Sequence, residues 1–301
     1  MSKKIVLIGT GMIGMSFIYS ALQSDLASEY ILIDIFTEYA EGNKLDVEDI
    51  LPYNTKNISI KVGDYSDCSD ANIIVICAGR PQKQGETRLE MIQDNAKIIK
   101  SIGVKVKDSG FSGISIIASN PVDILTFIYQ QEYNFPKEKV IGSGCILDSN
   151  RLKVEIAKEL NIFPHEVEAY VLGEHGDSSV MQFSNIKING KKYDDFSEEK
   201  KVEIGNKVRN KAYKIIEAKK ATYFGIGVAL KKLCEDIIFD KKEIVSVGHF
   251  FEKDNKKLYI SSPCIIGKKG IEEILNLDLS KKEQEEFKNS VGKIYKALKE
   301  Y

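Results

Sequence analysis

A short polar segment, Gly173 to Ser178, carries the side chain best suited to acid–base chemistry in this sequence. It contains His175 and follows the apolar run Val167–Leu172, which predicts a β-strand. Histidine exchanges a proton near neutral pH, and a histidine in a glycine-bounded loop at a strand end is placed to meet a substrate. The sequence therefore predicts His175 as a general acid or base. Of the other two histidines, His165 is expected in a solvated turn and His249 on the surface of a strand.

Arginine is scarce in this chain, although Lys and Arg together number 43. Lysine supplies most of the positive charge, so the few arginines are candidates for places that need a planar fork, such as bidentate binding of a carboxylate. The arginines are Arg80, Arg88, Arg151 and Arg209. Arg151 ends the pattern Asp148-Ser149-Asn150-Arg151 at a predicted helix start. That pattern also fits a purely structural role, with Asp148 as a helix cap and Arg151 as its i,i+3 partner.

A GxGxxG pattern from Gly9 to Gly14 directly follows the predicted strand at residues 4–8 and opens a predicted helix. Glycines permit the tight turn and the close backbone approach that a pyrophosphate needs, and the helix N-terminus then faces the anion. Asp34 lies 20 residues beyond Gly14, at the end of the second predicted strand. A carboxylate there accepts hydrogen bonds from a ribose diol and favours NAD over NADP. The alternative is that Asp34 is a turn residue in a flavodoxin-like fold that binds no dinucleotide.

The first half of the chain alternates strands and helices. Strands are predicted at residues 4–8, 30–33, 57–62, 71–78 and 114–118, and helices at 12–26, 39–50 and 89–107. Solid apolar strands separated by helices favour a parallel sheet that is covered on both faces. We therefore predict an α/β protein, with a Rossmann doubly wound parallel sheet in an NAD-binding domain at residues 1–143.

The second half changes character after about Gly144. Helices are predicted at residues 147–160, 196–216, 222–235 and 280–298, a hairpin with an Asn-Gly turn at 186–193, and paired antiparallel strands at 244–251 and 257–265. These elements predict an α+β domain at residues 144–301 that binds the substrate and carries out catalysis.

Composition narrows the classes of partner. The formal net charge is −1, so no basic field for nucleic acid or a membrane surface is expected. No apolar run reaches the length of roughly 18 residues that spans a membrane. The first four residues lead directly into the first strand and are too short for a secretory signal. The five cysteines lack any CxxC pattern, which indicates reduced thiols, a cytoplasmic location and no metal site.

Several further motifs follow strand ends or open helices in this chain. They are QxxGExR at residues 82–88, NPVD at 120–123, DSNR at 148–151, GEHGDS at 173–178 and the pair Ala221-Thr222. In this order the motifs resemble the L-lactate/malate dehydrogenase family, and within it the bacterial L-lactate dehydrogenases. The resemblance runs from Lys4 to the final helix. One departure is Lys220, because the family usually has a glycine before the Ala221-Thr222 pair.

The resemblance implies a role for each motif residue. His175 is the general acid in ketone reduction and the general base in alcohol oxidation, and Asp148 orients it and raises its pKa. Arg151 binds the substrate carboxylate as a fork, and Arg88 closes over the substrate and polarises the ketone. The implied substrate-binding residues are Gln82, Arg88, Asn120, Arg151 and Thr222. The implied cofactor-binding residues are Gly9, Gly11, Met12, Ile13, Gly14, Asp34, Gly79, Ser119 and Asn120.

Substrate choice in the family depends on the loop residue six positions before the loop arginine, which is Gln82 here. An arginine at that position pairs with the second carboxylate of oxaloacetate, whereas neutral Gln82 predicts pyruvate and L-lactate, in glycolytic fermentation. Arg80 lies two residues away, so a malate dehydrogenase or another L-2-hydroxy acid dehydrogenase stays an alternative. A catalytically silent NAD-binding protein is the alternative from another class, although no catalytic group is missing.

The resemblance also implies self-association as a homo-oligomer, a tetramer in the family. Many bacterial relatives are activated by fructose 1,6-bisphosphate, which a basic pair holds at a subunit interface. Here Lys153 stands at the position of one basic residue and Glu168 at the position of the other. Glu168 repels a phosphate or pairs with Lys153 across the interface, so we expect activity without this effector.

Overall fold

A central sheet begins with six short parallel strands whose residues are mostly isoleucine, valine and leucine. The structure, a computed structural model, describes residues 3–80, 88–276 and 278–301, with side chains from residue 90 onward in the second range. The parallel strands are β1 (Lys4–Ile8), β2 (Glu29–Ile33), β3 (Ser59–Val62), β4 (Ile73–Ile76), β5 (Ile114–Ile117) and β6 (Val140–Gly142). They lie in the order β3-β2-β1-β4-β5-β6. This is the doubly wound order, so the predicted fold class is confirmed.

Helices cover both faces of this sheet. The helices of the first half are α1 (Met12–Leu22), α2 (Thr37–Glu48), α3 (Arg88–Asp108) and α4 (Val122–Tyr133). Leu7 and Val75 belong to the core that includes α1, whereas their neighbours Val6 and Ile74 belong to the core that includes α3 and α4. Because successive strand residues point to opposite faces, two separate cores form on one sheet. No helix within the described ranges combines the length and apolar character that crossing a membrane requires.

The second half extends the same sheet and adds a small lobe. In chain order it contains α5 (Ile146–Leu160), β7 (Val167–Glu168), β8 (Val171–Leu172), β9 (Val180–Met181), β10 (Lys187–Ile188), β11 (Lys191–Lys192), α6 (Glu198–Lys219), α7 (Phe224–Ile238), β12 (Glu243–Lys253), β13 (Lys256–Gly267), β14 (Gly270–Ile274) and α8 (Lys281–Glu300). Strand β13 lies between β12 and β14 and is antiparallel to both, and Gly248 of β12 pairs with Gly142 of β6. The two halves therefore share one continuous sheet of nine strands within the described ranges.

Two predictions from the sequence are wrong. The run Val167–Leu172 is not one strand, because β7 pairs with β10 and β8 pairs with β9, in different sheets. Both ends of the run are buried, so its apolar pattern does not reveal that the chain changes sheet between them. His249 is not a surface residue of its strand, since it is only 3% exposed. The β12 strand lies inside the extended sheet, so the polar residues in its middle, Ser246 and His249, are covered as well.

The pattern of apolar and polar residues does not predict helix α4. Buried positions occupy most of its circumference, including the polar residues Thr126 and Gln130, so it lacks the polar stripe of a surface helix. It packs between α3 and strand β13. Its first turn, which follows the polar segment at the end of β5, directs side chains toward the loop that contains His175.

Lys220 ends helix α6 in the left-handed conformation, with φ 72°. A glycine adopts this conformation without steric cost, which explains the glycine that the family usually has here. The preceding Lys219 lies over the rings of Tyr223 and Phe224, with its Nζ 3.4 Å from the first ring centre. The turn that contains Thr222 and leads into α7 therefore forms, although Lys220 stands where the family usually has a glycine.

Candidate active site

A cavity of about 260 Å³ lies where the C-terminal ends of β5 and β6 meet α5, α6 and α7. Parallel sheets of this type bind ligands beyond the carboxyl ends of their strands. Side chains that are far apart in the sequence converge on this cavity. Those anticipated from the sequence are Ile13, Asn120, Asp148, Arg151, His175 and Thr222.

Asp148 lies between His175 and Arg151 and binds both. Its Oδ2 is 2.6 Å from Nδ1 of His175, and its Oδ1 accepts a hydrogen bond from Nη1 of Arg151 at 2.9 Å. The imidazole remains 27% exposed, whereas the side chains of Asp148 and Arg151 are about one-tenth exposed. Asp148 is the third residue of α5 and not its cap, which is Cys145. The i,i+3 pairing with Arg151 is thus present together with the histidine contact.

The pKa values of this pair move in opposite directions. Burial by itself would lower the pKa of His175, but the charge and hydrogen bond of Asp148, with a further contribution from Asp123, raise it to about 9. Burial would raise the pKa of Asp148, but His175 and Arg151 outweigh it and hold that pKa below its ordinary value. The pair therefore favours a carboxylate beside an imidazolium at neutral pH. Nδ1 faces Asp148, so Nε2 is the ring nitrogen left to face a ligand.

Helix α6 is joined to the loop of His175 by two side chains. Tyr213 Oη donates to Oδ1 of Asp177 at 2.9 Å, and Nη2 of Arg209 donates to the carbonyl of Ser179 at 2.9 Å. All four residues line the cavity. No pattern in the sequence predicts a role for these four residues, and the scarcity of arginine is the one signal that points to Arg209.

The glycine-rich loop between β1 and α1 has the shape that a pyrophosphate requires. Gly9 has φ 98°, and a Cβ on it would lie 2.5 Å from the backbone nitrogen of Ala78. Gly11 caps α1, and a Cβ there would meet nothing within 4 Å, so the loop leaves open space at the helix N-terminus. The first turn, at Met12, Ile13 and Gly14, has no side-chain cap. Its N–H groups therefore point toward this space as donors for an anion.

Asp34 lies directly after β2 and beside the glycine-rich loop. Its Oδ2 accepts hydrogen bonds from the backbone N–H and the hydroxyl of Thr10, at 2.7 and 2.9 Å, and its Oδ1 accepts from the N–H of Phe36 at 3.1 Å. These bonds hold the carboxylate at the strand end. Oδ1 has capacity for a further donor, so the side chain fits a hydroxyl of a ribose diol.

The ends of β4 and β5 are tied together beside this loop. Ser119 Oγ donates to the carbonyl of Ala78, and Nδ2 of Asn95 donates to the carbonyl of Asn120 at 2.9 Å. A Cβ on Gly79 would lie at ordinary contact distances from Asn95 and Ser119. Gly79, Ser119 and Asn120 thus form one edge, which runs from the glycine-rich loop to the cavity.

The arginines of the loop after β4 are only partly described. Arg80 forms a salt bridge with Asp94 of α3, with Nη2 2.8 Å from Oδ2, and it is absent from the described cavity lining. Gln82 lies outside the described residues. Helix α3 begins at Arg88, but the side chain of Arg88 also lies outside the described part.

This arrangement, a Rossmann sheet with a glycine-rich loop beside a His–Asp–Arg cluster, is typical of the NAD-binding dehydrogenases of small acids. Family models agree with it. Residues 3–142 match "lactate/malate dehydrogenase, NAD binding domain", and residues 145–301 match "lactate/malate dehydrogenase, alpha/beta C-terminal domain". The chain belongs to the lactate/malate dehydrogenase family.

Individual relatives are more specific in their names. The chain is 46% identical to an L-lactate dehydrogenase of Mesoplasma florum over 297 residues, covering 96% of this chain and 94% of the relative. A lactate dehydrogenase from a Medee basin deep-sea metagenome library superposes with a TM-score of 0.95 at 38% identity, covering 100% and 99% of the two chains. The minor L-lactate dehydrogenase of Enterococcus mundtii, in its ligands-bound form, gives a TM-score of 0.95 at 37% identity, covering 99% and 98%. The family resemblance predicted from the motifs is confirmed.

Proposed function

We propose that this chain is an NAD-dependent L-lactate dehydrogenase, which transfers a hydride reversibly between NADH and pyruvate. The observation that carries the proposal is the position of Asp148, whose two oxygens hold His175 and Arg151 at the wall of one cavity. The imidazole of His175, as proton donor, and the guanidinium of Arg151, as carboxylate-binding fork, are thereby held at a fixed separation. The names of the relatives support pyruvate and L-lactate as the substrate pair.

The chain's own residues perform the acid–base part of the reaction. Arg151 binds the carboxylate of pyruvate through its guanidinium fork and turns the ketone toward His175. The imidazolium of His175 donates the Nε2 proton to the ketone oxygen as that oxygen gains negative charge, and the reverse reaction returns the proton. Asp148 stabilises the imidazolium and keeps the ring in place. By the family resemblance, Arg88 polarises the ketone, and Asn120 and Thr222 line the pocket.

NADH, when bound, supplies the hydride that reduces the ketone carbon. The residues that would hold it are the glycine-rich loop for the pyrophosphate, Asp34 for the adenosine ribose, and the edge formed by Gly79, Ser119 and Asn120. These groups belong to residues 1–143, whereas His175, Asp148 and Arg151 belong to residues 144–301. The inferred division is therefore a cofactor domain followed by a substrate and catalytic domain.

Arg80 bears on the choice between pyruvate and oxaloacetate. Its ion pair with Asp94 holds its guanidinium on α3, which disfavours Arg80 as the partner of a second substrate carboxylate. Neutral Gln82 then leaves that carboxylate without a countercharge, which is unfavourable in a closed site. Both observations favour a methyl group, as in pyruvate.

The direct test is oxidation of NADH with pyruvate and with oxaloacetate in parallel. We expect a higher specificity constant for pyruvate. A higher constant for oxaloacetate would favour the malate alternative, and NADH binding without turnover of either acid would favour the silent protein. The stereochemistry of the product, L or D, is checked on the lactate that forms.

Replacement of Asp34 by serine is expected to weaken NADH binding by about tenfold and to relax the rejection of NADPH, because the charge-assisted hydrogen bonds to the ribose are lost. Fluorescence titration with each cofactor measures both effects. Asp25, an exposed acid that pairs with Lys56 in the same domain, provides the matched control Asp25→Ser. Equal affinity of the parent protein for NADH and NADPH would contradict the role of Asp34.

We also propose a homo-oligomer, a tetramer by analogy with the family. Large apolar side chains are exposed in a group around α2 and on the paired helices α1 and α7, which indicates a surface that another copy covers. They are Met12, Tyr19, Ile35, Phe36, Tyr39, Leu45, Phe224 and Val228. Light scattering at micromolar concentration is expected to give a multiple of 33.8 kDa, and a monomer mass would contradict the proposal.

The enzyme is expected to be active without fructose 1,6-bisphosphate and to respond little to it. Glu168 lies 3.4 Å from Nζ of Lys187, and Lys153 lies over the ring of Tyr170. Burial lowers the pKa of Lys153, against the opposing effect of Glu168 and Glu243. A phosphate would therefore meet the negative charge of Glu168 and the half-buried ammonium of Lys153, while the ammonium of Lys187 is already paired with Glu168. A large fall in the pyruvate concentration for half-maximal rate, on adding millimolar bisphosphate, would contradict this prediction.

A further inference from the structure

A buried carboxyl lies directly behind the proposed proton-transfer residue. Asp123 is the second residue of α4 and is 4% exposed, and its Oδ2 accepts a hydrogen bond from the backbone N–H of His175 at 2.8 Å. Its Oδ1 is also buried, and no hydrogen-bond partner for it exists among the described residues. A buried carboxylate oxygen without a donor is unfavourable. Packing alone therefore does not explain an acid at this position.

The backbone around His175 is held from two sides. Asp123 of α4 binds the N–H of His175, and Ser290 Oγ of α8 accepts a hydrogen bond from the N–H of Glu174 at 2.6 Å. The imidazole ring is held separately by Asp148 of α5. Two carboxyl groups from different helices thus fix one histidine, the first through its backbone and the second through its ring.

Asp123 is also poised to change its charge near neutral pH. Burial raises the pKa of Asp123 to about 7, aided by the charges of Glu174 and Asp148 and opposed by His175. Cys145 is a further titratable group beside it, and burial raises the pKa of that thiol so far that it stays neutral. Ser290, from α8, carries no charge. The ionised form of Asp123 in turn helps to raise the pKa of His175.

We propose that Asp123 is a positioning residue for His175 that also sets the pH range over which the imidazole keeps its proton. As the pH rises through neutrality, Asp123 ionises and adds negative charge behind the ring before His175 would deprotonate. The proton donor for ketone reduction then persists to higher pH than it would beside Asp148 alone. This proposal rests on the proposed role of His175.

The variant Asp123→Asn tests it. Asparagine is nearly isosteric, and its Oδ1 can still accept the N–H of His175, so the variant removes the charge and keeps the anchor. We expect the alkaline limb of kcat/KM for pyruvate reduction to move to lower pH by about 0.5 unit or more, with rates near the parent values on the acid side. The control is Asp236→Asn, at a buried carboxyl of α7 that also has an unpaired oxygen among the described residues. It is expected to leave the limb in place.

NMR titration of the His175 ring gives the same comparison without a substrate. A lower pKa of His175 in Asp123→Asn supports the proposal even if the parent protein does not reduce pyruvate, so failure of the proposed function is distinguished from failure of this inference. An unchanged alkaline limb and an unchanged ring titration would overturn it, even if turnover falls at every pH. If Asp123→Asn does not fold, the pKa of Asp123 is measured in the parent protein by carboxyl ¹³C NMR. The proposal would be overturned if no aspartate titrates with a midpoint above about pH 6.

Discussion

The variant His175→Asn is expected to turn over pyruvate at least about 100-fold more slowly than the parent, because loss of a positioned general acid has an effect of this size. Asparagine fills a similar space and can still face Asp148, but it has no proton to transfer at neutral pH. NADH binding should stay near the parent value, since the groups proposed to hold the cofactor lie on the other half of the chain. Stopped-flow absorbance and fluorescence titration measure the two quantities.

His165→Asn is the matched control for this variant. His165 is exposed and stacks on Phe163, away from the cavity, so its replacement should leave turnover unchanged. Parent-like turnover in His175→Asn would rule out the proposed proton donor. Loss of NADH binding together with turnover would instead indicate a misfolded variant.

The pH dependence of the parent follows from the raised pKa of His175, about 9. Pyruvate reduction needs the protonated ring, so its kcat/KM should be steady across neutral pH and decline as the pH rises through that value. L-lactate oxidation needs the neutral ring and should increase over the same range. We expect the pH profiles of kcat/KM for the two reactions to change in opposite directions around the same midpoint. Profiles that change in the same direction would contradict His175 as the proton-transfer residue.

The variant Arg151→Lys is expected to lower kcat/KM for pyruvate by about 100-fold or more, because losing the bidentate hydrogen bonds to a buried carboxylate costs about 3 kcal/mol. Lysine keeps the charge, but it cannot bind a carboxylate with two parallel hydrogen bonds or reach Asp148 in the same geometry. Steady-state kinetics at fixed NADH, with pyruvate varied, measures the effect.

Arg209→Lys is the comparison for this second variant. Arg209 also lines the cavity, but its described hydrogen bond is donated to the carbonyl of Ser179. A lysine at this position can donate a hydrogen bond to the same carbonyl. Its effect on kcat/KM should be at least about tenfold smaller than that of Arg151→Lys. An effect of Arg151→Lys as small as that expected for Arg209→Lys would mean that Arg151 acts through its charge and not through a fork.

Local patterns were sufficient for most of the fold. The glycine-rich loop was located because a tight turn before a helix selects glycine at fixed spacing, and strand β1 was placed at residues 4–8 as found. The helix predicted at residues 280–298 is found as α8, and Ser280 and Glu283 form the capping box at its start, a signal that acts within one turn. Helix α4 is buried around most of its circumference. It therefore lacks the stripe of polar residues by which a surface helix is recognised in a sequence.

The sequence by itself determined most of the elements, the family and the chemical type of the site residues, because each depends on residues that are neighbours in the chain. Only the tertiary structure placed Asp123 behind His175, 52 residues away, and Ser290 against Glu174, 116 residues away. It also showed that Arg80 is held by Asp94. Contacts of this kind are set by how helices pack on the sheet, and burial then decides the charge that each group carries. No local spacing encodes either outcome, so the pKa of His175 is a property of the fold.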